Sequence, residues 1–272
     1  MSNPQIIDTS PTWQGPDKTV FNPFIIHTVP YKTLNNHPIE TAILVPKSLP
    51  RGHHPILINM HGGFLTMGHA LFAPFFAPWL ANLITSNNAI CLSIDYRLLP
   101  TARGVHDIID DLDDFWAFFK RDFPGVLSEL VGPGHDVDFG RVMLTGGSAG
   151  GYCVLQTALS HPDEISAVAL MYPMMDLKDD MFVKGPAEGA STVLNFPREV
   201  MMSEVDAREW AKGEREKKEW KSRAGFEVTL KCVSLTQCGR FYDEVLNPLG
   251  SEDVGIFPLE RIREGARAPG KM

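Results

Sequence analysis

The chain has 272 residues, 44% of them hydrophobic and 21% charged, with a formal net charge of -8. That length suits one domain with a buried core plus an insertion, and the charge leaves no electrostatic footprint for nucleic acid or an anionic membrane. No apolar run approaches the ~18 residues of a membrane span, and the N-terminal MSNPQIIDTSPTWQGPDK lacks a basic stretch followed by an apolar one, so the expected location is cytoplasmic.

Two runs rich in β-branched residues, Phe24 to Lys32 and Ile39 to Val45, flank the turn-like Leu34-Asn35-Asn36-His37-Pro38 and predict an opening antiparallel hairpin. Strands and helices then alternate. Ile56 to Met60 and Ala89 to Asp95 are short continuous apolar runs of the kind that form buried parallel strands, with a helix expected between them over Ala73 to Thr85. From His106 to Phe123 the residues Ile108, Ile109, Leu112, Phe115, Trp116 and Phe119 share one helical face. The carboxylates Asp107, Asp110, Asp111, Asp113 and Asp114 fall largely on the other, which reads as a solvated surface rather than a metal site. Val142 to Thr145 predicts a strand, Gly150 to Ser160 a helix, and Ala167 to Tyr172 a further buried strand. This order specifies an α/β architecture with a mostly parallel sheet and helices on both faces.

After Asp176 the strand rhythm stops. Residues 178–255 read as a helical cap or insertion over an active site, with Glu204/Arg208 and Glu214/Lys218 as helix-surface pairs and Met201, Met202, Val205 and Trp210 as its apolar side. The expected organisation is therefore a core over 1–177, a cap over 178–255, and over 256–272 the start of a further core portion containing the amphipathic segment Leu259 to Arg267. The cysteines Cys91, Cys153, Cys232 and Cys238 form no C-x-x-C pair and read as reduced thiols. The terminal Gly270-Lys271-Met272 is a remote match to a peroxisomal tripeptide, which makes the peroxisome the alternative address.

Two turns carry chemistry. In Thr145-Gly146-Gly147-Ser148-Ala149-Gly150-Gly151 the small residues around Ser148 allow a strained strand-to-helix turn that presents the hydroxyl, with helix N-terminal amides behind it. Met60-His61-Gly62-Gly63-Phe64 follows a predicted strand, and its glycines let backbone amides face a cavity as in an oxyanion hole. Loops at the carboxyl ends of neighbouring parallel strands converge on one cleft.

Together with Asp95-Tyr96-Arg97-Leu98-Leu99-Pro100 and Tyr172-Pro173-Met174-Met175-Asp176, these turns resemble the ordered signatures of the hormone-sensitive-lipase-like branch of the α/β-hydrolases, well over residues 20–180 and loosely beyond. That family contains carboxylesterases and lipases, and its fungal members are associated with secondary metabolism. The resemblance implies Ser148 as nucleophile, the amides of Gly62, Gly63 and Ala149 as oxyanion donors, a small or medium apolar ester as substrate, and neither metal nor organic cofactor. The Asp95-Tyr96-Arg97 turn matches a structural motif. Phe64 and Gly147 stand where the family usually has glycine and aspartate.

A larger departure concerns the triad. In the family an acid and a histidine come from loops after two further strands, whereas here His161 is the only histidine after Ser148 and Asp253 lacks the acid's context. His61 is expected to brace its loop, His69 to line the same cleft, and His161 to head a surface turn, so no triad acid or histidine is assigned. The chain reads as a carboxylesterase-like serine hydrolase whose C-terminal strands are missing; the alternative is a non-catalytic ligand-binding or inert truncated relative. Without those strands, Ala167 to Tyr172 would form an exposed sheet edge through which copies could self-associate.

Overall fold

A computed structural model describes residues 18–217 and 219–270. The predicted hairpin is β1 (Phe24–Leu34) and β2 (His37–Pro46), paired antiparallel with Leu34 opposite His37. The turn consists of Asn35 and Asn36 alone, both at positive φ (47° and 66°), the conformation a two-residue hairpin turn demands and asparagine tolerates. His37 and Pro38 therefore belong to β2 rather than to the turn.

β3 (Gly52–Met60), α1 (Pro78–Ser86), β4 (Ile90–Ile94), α2 (Val105–Arg121), α3 (Phe123–Val131), β5 (His135–Gly147), α4 (Ala149–Ser160) and β6 (Ala167–Met171) follow. The sheet runs β1-β2-β4-β3-β5-β6, antiparallel as far as β4 and parallel from β4 to β6. Because side chains alternate across a strand, the two faces feed two cores. Ile43, Ile56, Ile58, Leu92 and Ile94 pack with Phe115, Phe119 and Tyr152 of α2 and α4. Leu44, Leu57 and Cys91 pack with Phe76, Leu80 and Ile84 around α1.

Several elements differ from their sequence reading. The helix expected over Ala73 to Thr85 is a short 3-10 turn, Ala73–Phe75, followed by α1, because Ala77 is extended (ψ 135°) and Pro78 begins the new helix. β3 and β5 both start earlier, through the pairings Gly52 to His135 and His53 to Asp136, whose polar residues carry no apolar run. The strand Ala167 to Tyr172 is not buried: β6 lies at the end of the sheet, Ala167 is exposed and Val168 to Met171 are half-buried. The acidic face of α2 is not uniformly solvated either, since Asp107 and Asp111 are buried against Arg97.

After β6 come α5 (Asp180–Val183), α6 (Glu204–Glu216), α7 (Thr229–Gln237) and α8 (Pro258–Arg263), with no strand among the described residues of this stretch. Their apolar residues, including Phe182, Ala211, Leu235, Phe241 and Phe257, join the same core as α2 and α4. α6 buries Ala207 and Ala211, while Val205 of the expected apolar side is 65% exposed. Met202 and Trp210 do pack against the core. Glu204 and Arg208 approach to 3.8 Å; Lys218 lies outside the described residues, and Glu214 pairs with Lys217 and Lys221. All four cysteines are free thiols, three of them buried. No helix among the described residues is long and apolar enough to cross a membrane.

Candidate active site

Ser148 stands between β5 and α4 with φ 53° and ψ -122°, a strained conformation for a residue with a side chain. Neighbouring backbone holds it there: its N–H donates to the Met171 carbonyl (2.9 Å), and its own carbonyl accepts from Gly151 (3.0 Å) and Met174 (2.8 Å). The turn is so tight that a Cβ on Gly146 would come within 2.6 Å of the Gly150 backbone. The Ser148 side chain makes no capping hydrogen bond to α4 and is half-buried.

The second turn begins where β3 ends. Gly62 and Gly63 are buried, Gly63 at φ 113°, and the Gly63 carbonyl is tied down by the amides of Thr66 (2.9 Å) and Met67 (3.0 Å). The two turns touch: a Cβ on Gly62 would lie 3.1 Å from the Gly147 carbonyl oxygen. The structure thus brings Gly62, Gly147, Ser148 and the buried start of α4 at Ala149 into one neighbourhood, at the carboxyl ends of adjacent parallel strands.

His61 braces the loop, as its position suggested. Its Nδ1–H donates to the Gly62 carbonyl (2.8 Å), its ring stacks on Tyr96 (4.4 Å between centroids), and the Tyr96 hydroxyl donates to its carbonyl (2.7 Å). Burial lowers its pKa to about 3, so the ring is neutral. Half-buried His69 accepts the Leu71 amide on Nδ1 (3.2 Å) and meets the Phe72 ring edge-on. His161 follows the last turn of α4, stacked on Trp116 (4.5 Å) and 3.3 Å from Glu164. Thirteen residues from Ser148, it is roughly 20 Å away. Asp253 accepts the Gly255 amide (2.8 Å) and caps a short turn.

The Asp95-Tyr96-Arg97 turn ties the site to the scaffold. Asp95 accepts the Ala70 amide (2.5 Å) and Arg223 Nε (2.7 Å), and burial pushes its pKa up to about 6 against the pull of that arginine. Arg97 reaches both Asp107 (2.9 Å) and Asp111 (2.9 Å) on α2. Sequence reading missed Arg223, which also pairs with Glu40 (2.7 Å) and so clips the helical segment to β2 and β4. No local pattern announces a pair 128 residues apart. A cavity of about 140 Å³ is bounded by Thr66, Leu98, Trp210 and Trp220, among others, and Ser148 does not line it. Among the described residues no three histidines, cysteines or carboxylates gather as a metal site.

A family model of the alpha/beta hydrolase fold matches residues 57–224, more than half of the chain, and the chain belongs to that family. Its relatives include a probable carboxylesterase M8 of Phoma sp., 30% identical over 188 residues that make up 67% of this chain and 58% of that one. A non-reducing polyketide synthase of Acremonium egyptiacum is 27% identical over 160 residues, 58% of this chain and 7% of the synthase. Among solved structures, an esterase of Pyrobaculum calidifontis superposes with a TM-score of 0.53 at 18% identity, covering 89% of this chain and 64% of the esterase. The chain thus spans less than two thirds of these relatives, and the structural likeness speaks for the fold alone.

Proposed function

We propose that this chain is a serine hydrolase of carboxylesterase type acting on a small or medium apolar ester. Ser148 Oγ attacks the ester carbonyl, and the amides of Gly62, Gly63 and Ala149 hold the resulting oxyanion. The alcohol then leaves, and water releases the acyl group from the serine. One observation carries the reading: the Ser148 turn, at positive φ, lies so close to the Gly62 loop that a Cβ on Gly62 would fall 3.1 Å from the Gly147 oxygen. The carboxylesterases and polyketide synthases among its relatives support an ester substrate and a place in secondary metabolism. Residues 178–255 serve as the cap, in a cytoplasmic setting, and the β6 edge is a route to self-association.

Solvent takes the serine proton in this reading, because His61 and His69 are engaged within their own loop and His161 is remote. Turnover is therefore feeble. Losing the base of a working triad costs on the order of 10⁶, whereas an oxyanion hole and binding alone leave about 10³ to 10⁴ over water. The test is hydrolysis of ethyl butyrate in a pH-stat, with covalent labelling by a fluorophosphonate, for wild type and Ser148→Ala. Slow turnover and labelling that vanish in the variant support the proposal. Neither signal in wild type would return the chain to a non-catalytic ligand-binding relative, and rapid turnover lost in His69→Ala would identify a base.

A further inference from the structure

Two aromatic rings flank the paired turns. The Cβ position of Gly62 lies 3.5 Å from the Phe75 ring, and that of Gly147 lies 3.3 Å from the Tyr172 ring. The Gly147 carbonyl oxygen lies 3.1 Å from the same Gly62 Cβ position, so both rings border the paired turns. A Cβ at position 147 would meet the Tyr172 ring at 3.3 Å, so the exposed phenol ring rests against bare backbone beside Ser148. Behind Phe75 the aromatic surface continues through Phe72 (5.1 Å between centroids) to His69 (5.4 Å further), all three half-buried.

Core packing does not account for Tyr172. It is 78% exposed yet sits at φ 40°, a conformation that costs a bulky residue free energy. Its backbone is fixed from both sides, by the Met171 carbonyl bonded to the Ser148 amide and by the Met174 amide bonded to the Ser148 carbonyl. The same bonds that set the serine turn therefore hold the backbone on both sides of Tyr172. Strain maintained by the surroundings, at a residue whose ring face is open to solvent, marks a surface kept for a ligand.

We propose that Phe75 and Tyr172 form the two walls of the substrate cleft and select esters carrying a planar aromatic ring directly beside the ester bond. This rests on the assignment of Ser148 as the reacting group. A flat ring gains offset-stacked or edge-to-face contact with both walls, which a saturated group of equal size does not.

The test is binding rather than turnover, so that it stands whether or not the chain is a competent hydrolase. The full chain carrying Ser148→Ala is titrated with 2-naphthamide, an unreactive fluorescent isostere of a naphthoate ester, with cyclohexanecarboxamide as saturated competitor. Saturable binding is expected, weakened about five- to tenfold by Tyr172→Leu and by Phe75→Leu, while the saturated amide is unaffected by either. Tyr172 is exposed, so its variant stays folded even if that at Phe75 does not. Benzamide and acetanilide as competitors place the ring on the acyl or the alcohol side, and superiority of either over the saturated amide supports the proposal. Naphthamide binding no tighter than the saturated amide, or unchanged by Tyr172→Leu, overturns it. Absence of labelling at Ser148 with intact ring binding would sink only the hydrolase reading.

Discussion

Gly150 lies so close against Met60 that a Cβ at position 150 would fall 2.0 Å from the Met60 carbonyl oxygen. This approach seats α4 on the end of β3 and thereby brings the serine turn beside the Gly62 loop. Gly150→Ala has to lift the helix from the strand, and the obstacle is backbone, which cannot swing aside. We expect a loss of about 1–3 kcal/mol or more by urea unfolding, together with lost fluorophosphonate labelling. Gly125→Ala in α3 is the control. Nothing lies within 4 Å of that position, so the better helix former stabilises by up to about 1 kcal/mol.

The Arg97 network gives a second prediction. Its guanidinium is almost fully buried between Asp107 and Asp111, both below 3% exposed, and lies 5.0 Å from the Trp220 ring centre. Removing the cation leaves buried Asp107 with only the 3.5 Å approach of exposed Arg103 and Asp111 with Lys32, so Arg97→Met should cost about 3–5 kcal/mol. Lys32 also reaches Asp111 (2.8 Å), but it is partly solvated and shared with the exposed Asp114. Lys32→Met should cost about 1 kcal/mol. Denaturant midpoints for the two variants decide the order, and equal losses would show that Arg97 is not the keystone of the pair.

Much of this molecule was readable from local pattern. The continuous apolar runs at Ile56 and Ala89 became β3 and β4, and the small-residue turns at Gly62 and Ser148 became neighbours because adjacent parallel strands deliver them to one end of the sheet. Other features have no local signature. The start of β5 pairs through His135 and Asp136, which look like loop, and α3 begins at Phe123-Pro124-Gly125, which looks like a breaker although proline suits a first helical turn. Asp107 and Asp111 follow the phase of a solvated helix face, yet Arg97, from the loop that leads into the helix, claims them. The same limit hid Phe75, which is unremarkable in sequence, and the place of Tyr172, which the sequence offers only as part of a signature; the fold brings both rings to the glycine turns.

His61 predicts a pH dependence of stability. Its folded pKa is about 3, lowered by burial, against about 6.5 for an unfolded histidine. Below pH 6.5 the unfolded chain takes up a proton that the folded chain refuses, so stability is full above that pH and falls as the medium is acidified toward 3. One such proton contributes a slope of up to about 1.4 kcal/mol per pH unit. His61→Phe keeps a ring to stack on Tyr96 and removes the titration. Urea melts between pH 4 and 7 should show a slope shallower by about that amount in the variant, whatever its stability at pH 7. Parallel slopes would mean that the imidazole reaches water.

The last prediction concerns β6. This strand pairs with β5 alone among the described residues, and its sequence Ala167-Val168-Ala169-Leu170-Met171 has no charge, proline or bulge, the devices by which exposed strands avoid pairing with other chains. Its half-buried side chains and free edge amides match a template for strand addition. Two copies joined antiparallel through β6 would extend the sheet across a two-fold axis, and with no charge in the strand nothing on it opposes the approach. Light scattering on a size-exclusion column should show the chain self-associating at micromolar concentration, and Ala169→Lys, which places a cation at the centre of the strand, should shift it toward monomer. A monomeric wild type with a cooperative melt would show that the edge is covered in solution and that β6 is not an interface.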